Sequence, residues 1–163
     1  MKVVIGVDHS EFSDDAVRHV VDSTWPEGTT FVVVSAIPPV FIGAGEVDSP
    51  RAYTDIMQEQ ERGHKEIADA AMRSLAAAGL KATARTPYGD PRMVLEEAAR
   101  AERADLLVVG SHGRSGIQRL LLGSVASHVV THAPCPVLVV RVPAWKRGET
   151  DRKAAESGMS VSR

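Results

Sequence analysis

The chain has 163 residues, 44% hydrophobic and 25% charged, which suffices for one compact domain. Its 19 basic and 21 acidic residues leave a formal charge of -2, and aromatic residues make up only 4%, so neither a polycationic face for nucleic acid nor a base-stacking platform is expected. Cys135 is the single cysteine, which forbids an intrachain disulfide, and the opening run Met1 to Gly6 is too short for a signal peptide or membrane span; the expectation is a cytoplasmic protein with no membrane or nucleic-acid partner.

In chain order, strands are predicted over Val3 to Val7, Phe31 to Ala36, Leu106 to Val109 and Val137 to Val140. Each is aliphatic on both faces, as a strand covered from two sides must be. Lys81 to Thr86 alternates and reads as an edge strand. Helices are predicted over Asp14 to Thr24, Ala52 to Ala78, Pro91 to Arg103 and Ser124 to His132. Asp90-Pro91 supplies an N-cap and a pre-set first helical residue, and Gly79 stands where a glycine ends a helix. A long loop rich in Pro and Gly spans residues 37 to 51. This alternation predicts a doubly wound parallel α/β sheet with helices on both faces. Residues 1 to 142, with 14 basic and 18 acidic groups, form the expected domain; residues 143 to 163, with 5 and 3, lack apolar periodicity and are expected to be a disordered polar tail.

Ligands of such sheets bind beyond the carboxyl ends of the strands, where strand order reverses. Among the loops there, residues 110 to 116, Gly-Ser-His-Gly-Arg-Ser-Gly, stand out, because three glycines let backbone amides approach a ligand. Gly123-Ser124 then opens a helix whose free amides favour an anion. From Leu106 to Val142 there is no Asp or Glu. The loop is neither a Walker A sequence nor a dinucleotide fingerprint. Its spacing, Gly110-x2-Gly113-x9-Gly123-Ser124 after an apolar strand, together with Val4 to Asp8, Gly89-Asp90-Pro91 and Asp105 to Gly113, resembles the ATP-binding branch of the universal stress protein family over residues 2 to 142.

That resemblance implies a five-stranded parallel sheet in the order 3-2-1-4-5, with Asp8 and Gly110 facing each other across the switch point. It implies that Val109, Gly110, His112, Gly113 and Arg114 line the phosphates and ribose, that Gly123, Ser124 and Val125 hold the phosphates, and that the backbone at Ala36 pairs with the adenine edge. Asp8 would meet the ribose or a bound Mg²⁺. ATP accompanied by Mg²⁺ is the implied ligand, and the implied activity is partner binding controlled by occupancy rather than catalysis. Ala126 departs from the Ser or Thr of many ATP-binding members, which keeps a cAMP- or AMP-binding member as an alternative, beside a slow ATPase. The apolar last strand, Val137 to Val140, would form a sheet edge and pair with its own copy in a homodimer, with a further protein partner unspecified.

Other residues carry plainer readings. Asp8-His9-Ser10 has the residue types of a hydrolase triad, but neighbours on an extended strand point to opposite faces, so a strand end followed by an N-cap is expected. His128 and His132, four apart, read as a helix surface, and Cys135 as a small buried hydrophobe. No metal site built from side chains is expected.

Overall fold

The structure, a computed structural model, describes residues 1–40, 50–113 and 122–141. Strand and helix alternate as β1 (Lys2–Gly6), α1 (Glu11–Asp22), β2 (Thr30–Val34), α2 (Pro50–Ala77), β3 (Lys81–Arg85), α3 (Pro91–Ala101), β4 (Leu106–Gly110), α4 (Ser124–His132) and β5 (Val137–Val140). All pairs are parallel and the order is β3-β2-β1-β4-β5. The expected fold is therefore the observed one. Val3 stands opposite Phe31 on one side and Leu106 on the other.

Side chains of successive strand residues leave opposite faces, and the sequence supplies aliphatic groups for both. Val3, Ile5, Phe31, Val33 and Val108 pack under Ala16 and Val20 of α1 and under Ala68, Ala71 and Leu75 of α2. Val4, Val32, Val34, Leu107 and Val109 pack under Val94 and Leu95 of α3 and under Ala126 and Val129 of α4. Most of these are fully buried, each burial stabilising the fold by about 1.5–3 kcal/mol before the cost of ordering the chain. Edge strand β3 shows the expected alternation, with Lys81, Thr83 and Arg85 outward. Its Arg85 and the Lys2 ammonium both pair with Glu102, at 2.5 and 2.9 Å.

Local chemistry sets the element ends. Asp90 caps α3, accepting from the Arg92 amide at 2.9 Å. Gly79 adopts φ +80 while its amide bonds Ala76 O and that of Leu80 bonds Leu75 O, the double bond of a Schellman cap. Helix α1 begins three residues before the predicted start because Ser10 caps it, and α3 stops at Ala101, two residues early, with Arg103 at φ +49. Residues 35 and 36, predicted as strand, lie outside the β2 ladder, because β1 ends at Gly6 and leaves them without a partner strand on that side. Arg114 and residues 143–163 lie outside the described residues. Among the described residues, no helix is long and apolar enough to cross a membrane.

Candidate functional site

The strand order reverses between β1 and β4, and beyond their carboxyl ends the chain leaves a cavity of about 290 Å³. Its walls include Asp8, Ala36, Val109, Gly110, His112, Gly113, Gly123, Ser124 and Val125. The structure thus brings together every site residue expected from sequence that lies within the described residues.

At one end of the cavity is a gap in the sheet. Val34 O accepts from the Val7 amide on the β1 side, whereas the amides of Ser35 and Ile37 bond Arg85 O and Pro87 O on the β3 side. By this alternation the N–H and C=O of Ala36 point towards β1, where the next rung would be Val7. That rung is absent. Ala36 is 7% exposed, and neither of its backbone groups has a hydrogen-bond partner among the described residues. A buried donor and acceptor left unpaired cost free energy unless a ligand or water completes them.

At the other end, Gly123 is the N-cap of α4 and provides no side-chain cap. The first-turn residues Ser124, Val125 and Ala126, whose amides have no intrahelical acceptor, all line the cavity. Gly123 is held close to the glycine loop: its amide bonds Ser111 O at 2.8 Å, and a β-carbon on it would lie 3.1 Å from His112 Cα. No acidic residue stands in α4 itself, so its first turn presents partial positive charge to the cavity.

Asp8 closes the cavity between these ends. Its Oδ1 accepts from the Ser10 amide (3.1 Å), the Ser10 hydroxyl (2.5 Å) and the Ser13 hydroxyl (2.7 Å). Its Oδ2 lies against Gly113. The glycine opposite Asp8 is therefore Gly113. A β-carbon on Gly110 would instead meet the Phe12 carbonyl oxygen at 2.6 Å, so that glycine is required by the approach of α1 to β4. His112 is 8% exposed, with Nδ1 3.2 Å from Ser111 Oγ and its ring tilted against Phe12.

Several wall residues escape a local sequence reading. His64 of α2, 3% exposed, reaches the cavity and holds Ser35 Oγ at 2.9 Å. It continues the buried stripe of Ala68, Ala71 and Leu75, and that helical spacing is the signal by which it could be found. Ser13 and Leu95 also contribute, from α1 and α3. Away from these walls, Tyr88 donates to Glu61 at 2.9 Å, which raises the phenol above its ordinary pKa.

The plainer readings can be placed as well. Nδ1 of His132 bonds His128 O, the two rings stack at 4.3 Å, and His128 Nε2 lies 3.3 Å from Glu96. Among the described residues, no group of three or more His, Cys, Asp or Glu is placed to hold a metal ion. Cys135 is half-buried against the α3/α4 core, and burial, with Asp105 adding, raises its thiol pKa.

Comparisons with known proteins agree with this fold. The model of the Universal stress protein family matches residues 1–141. A universal stress protein of Methanocaldococcus jannaschii, MJ0531, is 32% identical over 145 residues, covering 87% of this chain and 82% of that protein. Universal stress protein UspA from Lactobacillus plantarum, 22% identical, superposes with TM-score 0.74 over 86% of this chain and 97% of that one. A universal stress protein solved in complex with cAMP is 28% identical, with TM-score 0.64 over 88% of this chain and 98% of that one.

Proposed function

Since the chain belongs to the universal stress protein family, we propose that it binds an adenine nucleotide, ATP, in the cavity between β1 and β4, and that occupancy biases its association with protein partners. The observation that carries this reading is the pair of unbonded backbone groups on Ala36 facing the same cavity as the uncapped start of α4. The first suits a base edge and the second a phosphate. One peptide N–H beside one peptide C=O matches adenine, which accepts at N1 and donates from its exocyclic amine. Guanine presents the opposite pair at those positions.

In this reading Gly110, His112 and Gly113 border the sugar and phosphates, with Arg114 in the same loop, and Ser124 adds a hydroxyl to its own amide and that of Val125, while Gly123, its amide held by Ser111 O, leaves room for the phosphate. Asp8 accepts from the ribose. Mg²⁺ would arrive with the triphosphate, held by phosphate oxygens and water, since the described residues build no cage of their own. Strand β5 stands at a sheet edge, with Val137, Leu138 and Val139 half-buried, and we assign the homodimer to this edge.

A second reading, a member that prefers cAMP or AMP, is favoured by one feature. Ala126, in the first turn of α4, offers no hydroxyl to a longer phosphate chain. Native mass spectrometry of the purified protein, followed by calorimetric titration with ATP, AMP and cAMP, tests both. Co-purified or tightly titrating ATP supports the first; selective binding of cAMP or AMP replaces it with the second. No adenine nucleotide bound at millimolar concentration would falsify the nucleotide reading.

A further inference from the structure

Resting on the nucleotide reading, with the base at Ala36, we infer that Gln60 and His64 of α2 are positioning residues for base recognition: they clamp residues 35–38 from one face and so hold the N–H and C=O of Ala36 in place for a base edge. His64 Nδ1 is hydrogen-bonded to Ser35 Oγ at 2.9 Å, and Gln60 Nε2 donates to Pro38 O at 3.1 Å. The two side chains stand four positions apart, one above the other on the same face of α2. Ala36 lies between the two anchored residues.

The segment needs such a clamp because its backbone is bonded along one edge only. The amides of Ser35 and Ile37 bond Arg85 O and Pro87 O, and the Gly89 amide bonds Ile37 O, all on the β3 side. On the β1 side the ladder ends at the bond from the Val7 amide to Val34 O. Pro38 and Pro39 have no amide hydrogen, so past Ile37 two successive residues donate nothing to a ladder. A strip tied along one edge can swing about that edge, and the swing displaces its open edge, the one that Ala36 turns to the cavity. Anchors on a face stop it. Ser35 sends its side chain to the α2 face, as Val33 does two residues earlier, and is fully buried. His64 is buried too, and its ring also meets that of His9 edge-on at 5.4 Å.

Stability does not explain Gln60. Its Nε2 must face Pro38 O, since a carbonyl only accepts, and its Oε1 is then buried with no donor among the described residues. A buried acceptor left unpaired costs free energy, which an apolar side chain of similar size would avoid. The amide sits where its one bond steadies the cavity wall. Pro38 lines the cavity with Ala36 and His64, whereas Gln60 and Ser35 stand behind that wall.

The consequence falls on the base. A donor and acceptor fixed beforehand meet adenine without an ordering cost at binding, and they reject a base whose donor and acceptor are exchanged; a pair free to swing loses both properties. Contacts to the phosphates at α4 do not pass through residues 35–38. Loss of either anchor should therefore weaken ATP and leave ITP nearly as before.

The test is calorimetric titration of the wild-type chain, Gln60→Leu and Ser35→Ala with ATP and with ITP, the folded state of each being checked by urea unfolding. Neither substituted residue lines the cavity, so neither change touches the ligand directly. The wild type should prefer ATP, and each variant should reduce the ATP-over-ITP ratio about fivefold, the scale of one neutral hydrogen bond, with the loss on the ATP side. An unchanged ratio in either variant overturns the clamp while leaving the nucleotide reading intact. A wild-type chain that binds both compounds equally removes the base from Ala36, and this inference with it, though the cavity still takes a nucleotide. One that binds neither overturns the nucleotide reading itself. A purely structural role for the two bonds would weaken both compounds alike, so the ratio separates it from positioning even if a variant loses stability.

Discussion

Gly113 lies against the carboxylate of Asp8, so close that a β-carbon on the glycine would sit 2.7 Å from Oδ2. Since the Asp8 side chain is pinned by three donors, it cannot yield without losing hydrogen bonds. Gly113→Ala is expected to cost nucleotide affinity about tenfold or more, the scale of a disturbed charged hydrogen bond. Gly110→Ala meets the Phe12 backbone instead and should destabilise the fold itself by about 1–3 kcal/mol. Chemical denaturation of both variants beside nucleotide titration separates the two effects; equal losses of stability would contradict the assignment of the two glycines.

Gly123→Val introduces a branched side chain at the start of α4, where even a β-carbon would approach His112 Cα to 3.1 Å. ATP affinity should fall at least about tenfold while adenosine binds as before, because the phosphate end alone is obstructed. If ATP affinity survives, the triphosphate does not lie at α4.

The backbone of Ala36 implies discrimination between bases. Inosine and guanosine nucleotides present a donor where adenine accepts and an acceptor where it donates, leaving two buried groups mismatched at about 1–3 kcal/mol each. ATP should therefore bind at least about 30-fold more tightly than ITP or GTP. Competition displacement of a fluorescent ATP analogue measures this directly, and equal potency of ITP would remove the base from Ala36.

At the sheet edge, the amide of Ser111 bonds Val140 O and that of Leu107 bonds Pro136 O, so Val137 and Val139 turn their backbone groups outward. Val139→Pro deletes one outward N–H without removing a bond to β4, a position where proline is tolerated. The expected result is a chain that stays folded by circular dichroism and runs as a monomer in light scattering. A wild-type chain that is monomeric at high concentration would dismiss the β5 dimer.

Hydrogen bonds from Arg92 hold the Asp90 carboxyl well below its ordinary 3.8, at about 2. A folded-state pKa below the unfolded one means that the unfolded chain takes up the proton first. The contribution is thus complete above about pH 4 and disappears as pH falls towards 2. Asp90 is partly exposed, so solvent and salt screen the charge, and the cap itself carries most of the effect. Asp90→Ala should cost about 1 kcal/mol at neutral pH, and Asp90→Asn distinctly less, because asparagine still caps. Urea unfolding between pH 2 and 7 should show a shallower acid loss for Asp90→Asn than for the wild type; identical slopes would assign the acid sensitivity elsewhere.

Much of the architecture could be read from residue order because its signals are local. Val3 to Val7 and Leu106 to Val109 are too short and too apolar for anything but covered strands, and Asp90-Pro91 and Gly79 mark helix ends by their own chemistry. The glycine spacing likewise located one wall of the cavity. Residues that act across the chain were harder to see. His64 enters from a helix 28 residues away from Ala36, and only its place in a buried stripe hints at it. The need for glycine at 110 comes from Phe12, nearly a hundred positions earlier, and no motif distinguishes that demand from a ligand's.

The absent rung at Ala36 has a mechanical side. Ala36 belongs to the half of the sheet carried by β1, β2 and β3, and the start of α4 belongs to the half carried by β4 and β5. In the proposed binding mode, a nucleotide with its base on one and its phosphates on the other would act as a strut between the halves, supplying the bonds that the diverging backbone gives up. Emptying the site would then loosen the seam, and in the proposed dimer the β5 edge, carried by the same half as α4, would be placed to sense it.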